Sequence, residues 1–176
     1  MQQEEQISLV AYDPAWPVAF EAEKILIACT IGAWIVGGIH HVGSTAVPNL
    51  SAKPIIDIMV GVRNLEEAQP CLEILRNLQY CYYPYKPQQM HWFCKPSPSR
   101  RTHHLYLMET AHPQWQARLA FRDYLRCHPD VRIEYETLKR LLAEKFRDDR
   151  ESYTDAKTAF IENIVAKALG REVAFE

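Results

Sequence analysis

The sequence predicts an α+β fold in which a small mixed sheet carries helices on one side and is followed by a C-terminal helical segment. Short aromatic and β-branched runs, with one nearly continuous apolar run at 55–62, lie within residues 1–110, whereas 111–176 show helical periodicity. The 176 residues are 48% hydrophobic and 24% charged, which is ordinary for a globular chain with one core. We therefore expect one domain over 1–176, with an α/β core (1–110) and a helical tail (111–176).

The first elements follow from capping residues and apolar spacing. Asp13 and Pro14 suit the N-cap and the first helical position, so a helix is predicted to run from there to about 28–31. A strand is predicted over 34–42 and a buried strand over 55–62, joined by a loop. Leucines at three- and four-residue spacing predict an amphipathic helix over 65–78.

The remaining elements continue this order. Strands are predicted over 80–85, 90–95 and 102–108, and the basic segment 95–101 is interpreted as an exposed loop, with closure over a nucleotide as an alternative. Three helices are predicted in the tail, over 113–127, 132–147 and 153–169.

Composition excludes several classes of protein. Twenty basic against 22 acidic residues give a net charge of -2, without the positive excess that general nucleic-acid binding needs. The polar N-terminus resembles no targeting signal, and no apolar run approaches the ~20 residues of a membrane span. Five scattered cysteines form no CxxC pair, which argues against a disulfide framework or a cysteine zinc site. We expect a cytoplasmic protein with a small-molecule ligand.

The loop and strand over 43–57 hold the main candidates for a binding site. Gly43 and Ser44 let backbone N–H groups approach an anion, Thr45 adds a hydroxyl, and a helix starting at this turn would add positive potential. Asp57 lies in an apolar strand and needs a partner, which a metal cation or a nearby Lys or His would supply. A simple Gly-Ser turn with Asp57 paired to Lys53 fits the same residues.

The string HHVGSTAVPNLSAKPIIDIMVGV at 40–62 resembles the signature of the GrpB-like family. YDPAW at 12–16, RTHHL at 101–105 and FRDYLR at 121–126 extend the resemblance, as do Tyr135, Leu138, Lys139, Tyr153 and Lys157. The resemblance implies a nucleotidyltransferase-like fold related to the polymerase-β superfamily. There a Gly-Ser turn precedes a strand with two acids, a later strand supplies a third, and the carboxylates hold two Mg²⁺ ions that align the phosphates of a nucleoside triphosphate.

The sequence departs from that superfamily pattern at its acids. Met59 stands where the second acid belongs, and the later strand offers His104 and Tyr106 instead of a carboxylate. Family members often carry His at the position of Tyr106. One carboxylate does not hold two Mg²⁺ ions in the usual way, whereas Asp57, His41 and His104 together resemble a ligand set for one Zn²⁺, Mn²⁺ or Fe²⁺ ion. Histidines that merely line a cleft are the alternative.

Basic residues that match the family pattern complete the candidates. Arg122, Lys139 and Lys157 are expected, together with Lys53, to bind phosphate near the Gly-Ser turn. A solvated stripe of ion-paired charges is the ordinary alternative for such side chains.

Three functions are consistent with these residues. The first is a divergent nucleotidyltransferase that uses a nucleoside triphosphate and a small acceptor, with Asp57 and His104 as the catalytic pair and a divalent ion (Mg²⁺, Mn²⁺ or Zn²⁺) as cofactor. The second is a non-catalytic module that binds a nucleotide or a coenzyme A-related ligand, since relatives of this family occur fused to a dephospho-coenzyme A kinase. The third is a phosphoesterase that depends on the mixed His/Asp metal site.

Overall fold

Five strands form one mixed sheet in the order β1-β2-β5-β4-β3. The computed structural model describes residues 6–171, so the ends of the predicted domain, 1–5 and 172–176, lie outside the described residues. The strands are β1 (Ile35–Val42), β2 (Ile56–Val62), β3 (Cys81–Tyr83), β4 (Met90–Ser97) and β5 (Arg100–Glu109). Strands β2 and β5 are parallel and the other pairs are antiparallel, which confirms the predicted α+β class with a mixed sheet.

The helices of the described chain are α1 (Ala15–Ile31), α2 (Cys71–Ile74), α3 (Pro113–Cys127), α4 (Pro129–Lys145), α5 (Arg150–Asp155) and α6 (Thr158–Ala168). The predicted helix over 65–78 is wrong as a continuous element. Turns occupy its first part, and α2 begins after Pro70 and ends in a 3₁₀ turn, Leu75–Leu78. Proline lacks an N–H group and disfavours a helical conformation in the residue before it, so it separates the two parts.

Two other predicted boundaries also differ. The helix predicted over 153–169 is divided into α5 and α6, and the loop predicted over 95–101 is the end of a β-hairpin. Strands β4 and β5 continue to a tight turn there. The Thr102 hydroxyl donates to the Lys95 carbonyl at 3.1 Å, and Arg101 Nε donates to the Pro98 carbonyl at 2.9 Å.

Strand alternation divides the sheet into two different faces. One face packs against α1 and α2 and holds the larger core, whose buried residues include Phe20, Ile27, Ile58, Val60, Phe93, Leu105 and Leu107. Helix α3 adds a helix on the opposite face, where Trp115 packs against Met59 and Met108. Asp57, His104 and Tyr106 lie on this second face. Within residues 6–171, no helix is long and apolar enough to cross a membrane.

A buried ion pair joins α1 to the sheet. Lys95 Nζ lies 2.8 Å from a carboxylate oxygen of Glu23, and the two side chains are 15% and 7% exposed. The same ammonium lies 5.3 Å from the ring centroid of Tyr80. A buried charge is costly without its partner, so the pair favours this position of α1 on β4.

Candidate functional site

A pocket of about 120 Å³ lies between the N-terminal end of β2 and the helical tail. This volume is well below the roughly 300–1,000 Å³ of pockets that enclose drug-sized ligands, so it suits a phosphate-sized group. Seven of the ten predicted site residues line it. The full lining is Leu9, Ser44, Thr45, Ala52, Lys53, Ile55, Asp57, His104, Lys139, Tyr153 and Lys157.

Asp57 is the acid of this pocket and is held by two side chains of β5. Its Oδ1 accepts a hydrogen bond from His104 Nδ1 at 3.0 Å and another from the Tyr106 hydroxyl at 2.9 Å. Burial disfavours the charged carboxylate, but these bonds and the positive charge of Arg118 hold its pKa below the ordinary value. Asp57 is therefore ionised at neutral pH. Tyr106, at the position where the resemblance expects His, serves as a donor to it.

Gly43 brings the turn after β1 against the Asp57 carboxylate. Its φ is +71°, and a Cβ at this position would overlap Asp57 Oδ2. Only glycine satisfies both constraints. A single 3₁₀ turn, Ser44–Ala46, follows Gly43, so no α-helix starts here to add positive potential. Gly43 does not line the pocket, so it acts by positioning the turn.

Lys139 reaches the turn from α4. Its ammonium donates to Ser44 Oγ at 3.2 Å and to the Ser51 carbonyl, and it lies 5.1 Å from the ring centroid of Tyr135. Burial lowers its pKa to about 7, and the positive charge of Lys157 adds to this shift. An anion in the pocket would favour the charged form of this group.

Lys53 and Lys157 both contact the Tyr153 ring. Their ammonium nitrogens are 4.6 and 3.9 Å from its centroid. Burial, with Arg150 and Lys157 nearby, lowers the pKa of Lys53 to about 7, and burial lowers that of Lys157 to about 8, against the attraction of Asp57. Three lysines thus line the pocket with one carboxylate, an excess of cations that an anionic ligand would balance.

The predictions for His41 and Thr45 require correction. His41 pairs with Ile58 on the sheet face toward α1, where its ring stacks on Phe20 with centroids 4.8 Å apart. Burial lowers its pKa to about 4, so the ring is neutral. Thr45 lines the pocket, but its hydroxyl donates to the Ile55 carbonyl and accepts from His41 Nε2, so it is not available to a phosphate.

Arg122 does not clamp a phosphate in this pocket, contrary to the prediction. Its guanidinium bonds to both carboxylate oxygens of Asp123 and to the His41 carbonyl at 3.0 Å. Arg126 similarly donates to the Ala46 carbonyl, at 2.9 and 2.8 Å. These arginines brace the chain on either side of the Gly-Ser turn.

The predicted three-ligand metal set is not assembled. His41 faces away from Asp57, and no group of three or more His, Cys, Asp or Glu side chains within residues 6–171 could hold a metal ion. Met59, at the position of the second superfamily acid, is fully buried in the apolar cluster with Trp115. The residues present therefore fit neither the two-metal arrangement nor the mixed-ligand one.

Sequence reasoning missed the aromatic and apolar walls of the pocket. Tyr153 belongs to the family pattern, but that pattern does not indicate that its ring contacts two of the lysines. Leu9 lines the pocket from the segment before α1, where Val10 forms a bridge with Ala52. No local pattern marks Leu9, because its role depends on this long-range bridge.

Known proteins are similar to this chain along nearly its whole length. A family model described as GrpB protein matches residues 6–167. The chain belongs to the GrpB family. A UPF0157 protein of Pseudomonas aeruginosa is 40% identical over 177 residues, covering 97% of this chain and 69% of that relative. The UPF0157 protein YqkA of Bacillus subtilis is 33% identical over 156 residues, and the chain spans only 45% of its length.

Structure comparison gives the same family. The crystal structure of the conserved protein GrpB from Enterococcus faecalis superposes with a TM-score of 0.84 and 34% identity, covering 93% of this chain and 98% of that one. A dephospho-CoA kinase of Mycolicibacterium paratuberculosis is 25% identical over 189 residues, covering 92% of this chain and 46% of the kinase. The fold is consistent with the nucleotidyltransferase-like architecture that the family resemblance implies.

Proposed function

We propose that this GrpB-family protein binds the phosphate groups of a nucleotide or a coenzyme A-related small molecule in the lysine pocket. The observation that carries the proposal is the convergence of Lys53, Lys139 and Lys157 on a pocket of phosphate size that holds one ionised acid. Lysine is a common phosphate-binding residue in proteins, where it acts as a point charge.

The lysines supply the positive charge that metal ions supply in the wider superfamily. Lys139 already donates to Ser44, so a phosphate near the Gly-Ser turn would meet both the ammonium and the hydroxyl. The ligand set for a metal is absent among the described residues, and Met59 replaces a carboxylate. Binding without a bound divalent ion therefore agrees best with this pocket.

The likeness to a dephospho-CoA kinase supports a coenzyme A-related ligand. The match extends over 92% of this chain but only 46% of the kinase, so more than half of the kinase lies outside the matched region. Coenzyme A and dephospho-coenzyme A belong beside ATP and pyrophosphate among the ligands to be tested.

Isothermal titration in the presence of EDTA tests the proposal. Pyrophosphate, ATP and coenzyme A are titrated into the purified chain, its Lys157→Met variant and a Lys145→Met control, an exposed lysine at the end of α4. A hydrogen bond to a charged group contributes about 1.5–3 kcal/mol, so Lys157→Met is expected to weaken binding roughly 10- to 100-fold. The control should bind like the wild type. Absence of binding by every ligand, or equal affinities for all three proteins, would contradict the proposal.

Nucleotidyl transfer is the second candidate function. It is favoured by the Gly43 turn, which lies directly against the Asp57 carboxylate. This matches the superfamily pattern, in which a Gly-Ser turn precedes a strand that carries the acid. Asp57→Asn separates the two candidates. If lysines bind the anion directly, removal of the nearby negative charge leaves the EDTA-resistant affinity at least as high as in the wild type. If transfer is the function, a labelled nucleotidyl adduct should form from a nucleoside triphosphate and disappear in this variant.

A further inference from the structure

We propose that the base of a bound nucleotide stacks on an aromatic platform formed by Trp92, Tyr83 and Tyr85, beside the lysine pocket. The inference rests on the proposed function, because it assumes that the phosphates of the same ligand occupy that pocket. It adds that the ligand carries a planar ring and assigns a place for that ring.

The small size of the pocket implies that a bound nucleotide contacts the protein at a second place. At about 120 Å³ it encloses a phosphate group but not a nucleoside, so the remainder of a nucleotide must lie outside it. His104 is the pocket-lining residue of β5, and its ring centroid lies 5.1 Å from that of Trp92 on the adjacent strand β4. The platform therefore begins directly beside the pocket, past His104.

The strand order sets the reach that the ligand needs. Asp57 pairs with His104, and Trp92 pairs with Tyr106, so β5 is the single strand between the acid and the platform. Adjacent strands are about 4.8 Å apart, so Trp92 lies roughly 10 Å across the sheet from Asp57. This separation suits the ribose and phosphate that join a base to a terminal phosphate.

Aromatic rings on this part of the sheet remain open to solvent. Tyr83 is 58% exposed and Tyr85 is 42% exposed, and both meet the Trp92 ring in edge-to-face contact at 6.2 and 6.5 Å. Neither tyrosine ring lies parallel to the Trp92 ring, so neither is stacked on it. Exposed aromatic rings grouped in this way are a common platform for bases, because every base has a flat π-face.

Cationic side chains complete the platform. The Arg101 guanidinium lies 5.5 Å from the Trp92 centroid, held by its bond to the Pro98 carbonyl, and Arg118 lies 4.5 Å from the Tyr106 centroid. A planar guanidinium stacks on an aromatic ring much as a base does, so Arg101 marks the face of Trp92 that a planar group can reach. A base that binds this face takes the place of the Arg101 guanidinium, because 5.5 Å is less than the roughly 7 Å that a ring stacked between two groups needs.

Comparison of ATP with tripolyphosphate tests the inference, since only ATP carries a base. Both are titrated into the wild type, Trp92→Leu, the more conservative Trp92→Phe, and the control Trp34→Leu at the opposite end of the sheet. We expect Trp92→Leu to weaken ATP binding about 5- to 100-fold and to leave tripolyphosphate within about 2-fold. Trp92→Phe and Trp34→Leu should retain most of the ATP affinity. Tyr83→Ser provides a second variant, in which the ring that is removed is 58% exposed and contributes little to the core.

The outcomes distinguish failure of the aromatic platform from failure of the proposed function. If the wild type binds tripolyphosphate as tightly as ATP, or if Trp92→Leu and Tyr83→Ser weaken neither ligand or both equally, the platform is refuted while the lysine pocket stands. If the wild type binds neither ATP nor tripolyphosphate, the platform is refuted. If pyrophosphate and coenzyme A also fail to bind, the proposed function fails with it.

Discussion

The lysine pocket predicts an anion affinity that falls steeply as pH rises. Lys53 and Lys139 have pKa values lowered to about 7, and Lys157 to about 8. At about pH 6 all three ammonium groups are charged before the anion arrives. At about pH 8 each lysine with a pKa near 7 is roughly nine-tenths neutral, so binding must first add its proton.

The magnitude follows from these fractions. Each of the two lower lysines reduces the affinity about tenfold at about pH 8, and Lys157, about half charged there, adds a factor of about 2. Binding of a dianion is therefore expected to weaken roughly 100- to 200-fold between about pH 6 and pH 8. Asp57 stays ionised across this range, so it does not alter the expected decrease in anion affinity.

Sulfate is the suitable probe, because it remains a dianion over this range and does not itself titrate. Calorimetry in two buffers of different ionisation enthalpy should detect uptake of about two protons per sulfate at about pH 8. In Lys53→Met, the ratio of sulfate affinities at about pH 6 and pH 8 should be about tenfold smaller than in the wild type. An affinity that is equal at both pH values, or binding without proton uptake, would refute the assignment of the lysines as the anion-binding groups.

The anion-free protein should respond to pH in the opposite direction. The folded-state pKa values of Lys53, Lys139 and Lys157 lie below those of an unfolded chain, so between about pH 7 and 10 the unfolded state binds more protons at these groups. Their contribution to the free energy of unfolding therefore increases as pH rises through that window. Urea denaturation across this range, with and without sulfate, should show the stabilisation by sulfate shrink until the two curves converge at high pH.

Three substitutions test the fold around the site, each by urea denaturation. Gly43→Ala should destabilise by about 2–4 kcal/mol, because its φ is positive and the methyl group meets the carboxylate beneath it, whereas Gly32→Ala, with open space around it, should cost less than about 0.5 kcal/mol. Met59→Asp should destabilise by more than about 3 kcal/mol, since it places a charge in an apolar cluster, and a stable variant would contradict that burial. Glu23→Gln should cost about 3 kcal/mol by leaving Lys95 buried without its partner, and adding Lys95→Met should recover much of it; strictly additive losses would exclude the coupling.

Within a single strand, the sequence alone predicted which side chains share a face of the sheet, because side chains alternate between the two faces. Alternation along β5 places His104 and Tyr106 on one face and Leu105 on the other, as observed. The apolar run around Asp57 indicated a buried acid in need of partners, and the structure supplies two of them. These inferences succeeded because they depend only on neighbours along the chain.

Predictions that required register or long-range partners failed. Strand β1 has an irregular register between Ile35 and Ile39, so alternation alone could not decide which of His40 and His41 faces the site. Arg122 and Arg126 lie on one helix face as their spacing requires, but the backbone carbonyls that accept their hydrogen bonds are 80 or more residues away. Helical spacing predicts which side chains share a face of a helix, but it does not predict which distant residues that face contacts.

By itself, the sequence determined the family resemblance, the α+β class, and the single acid of the site with its missing companion at Met59. It also excluded a general excess of positive charge, since 20 basic residues face 22 acidic ones. Only the tertiary structure decided that Lys53, Lys139 and Lys157 meet around one pocket. These lysines come from a loop, from α4 and from the segment before α6, and their pKa values depend on burial and mutual repulsion, which arise only when distant segments pack together.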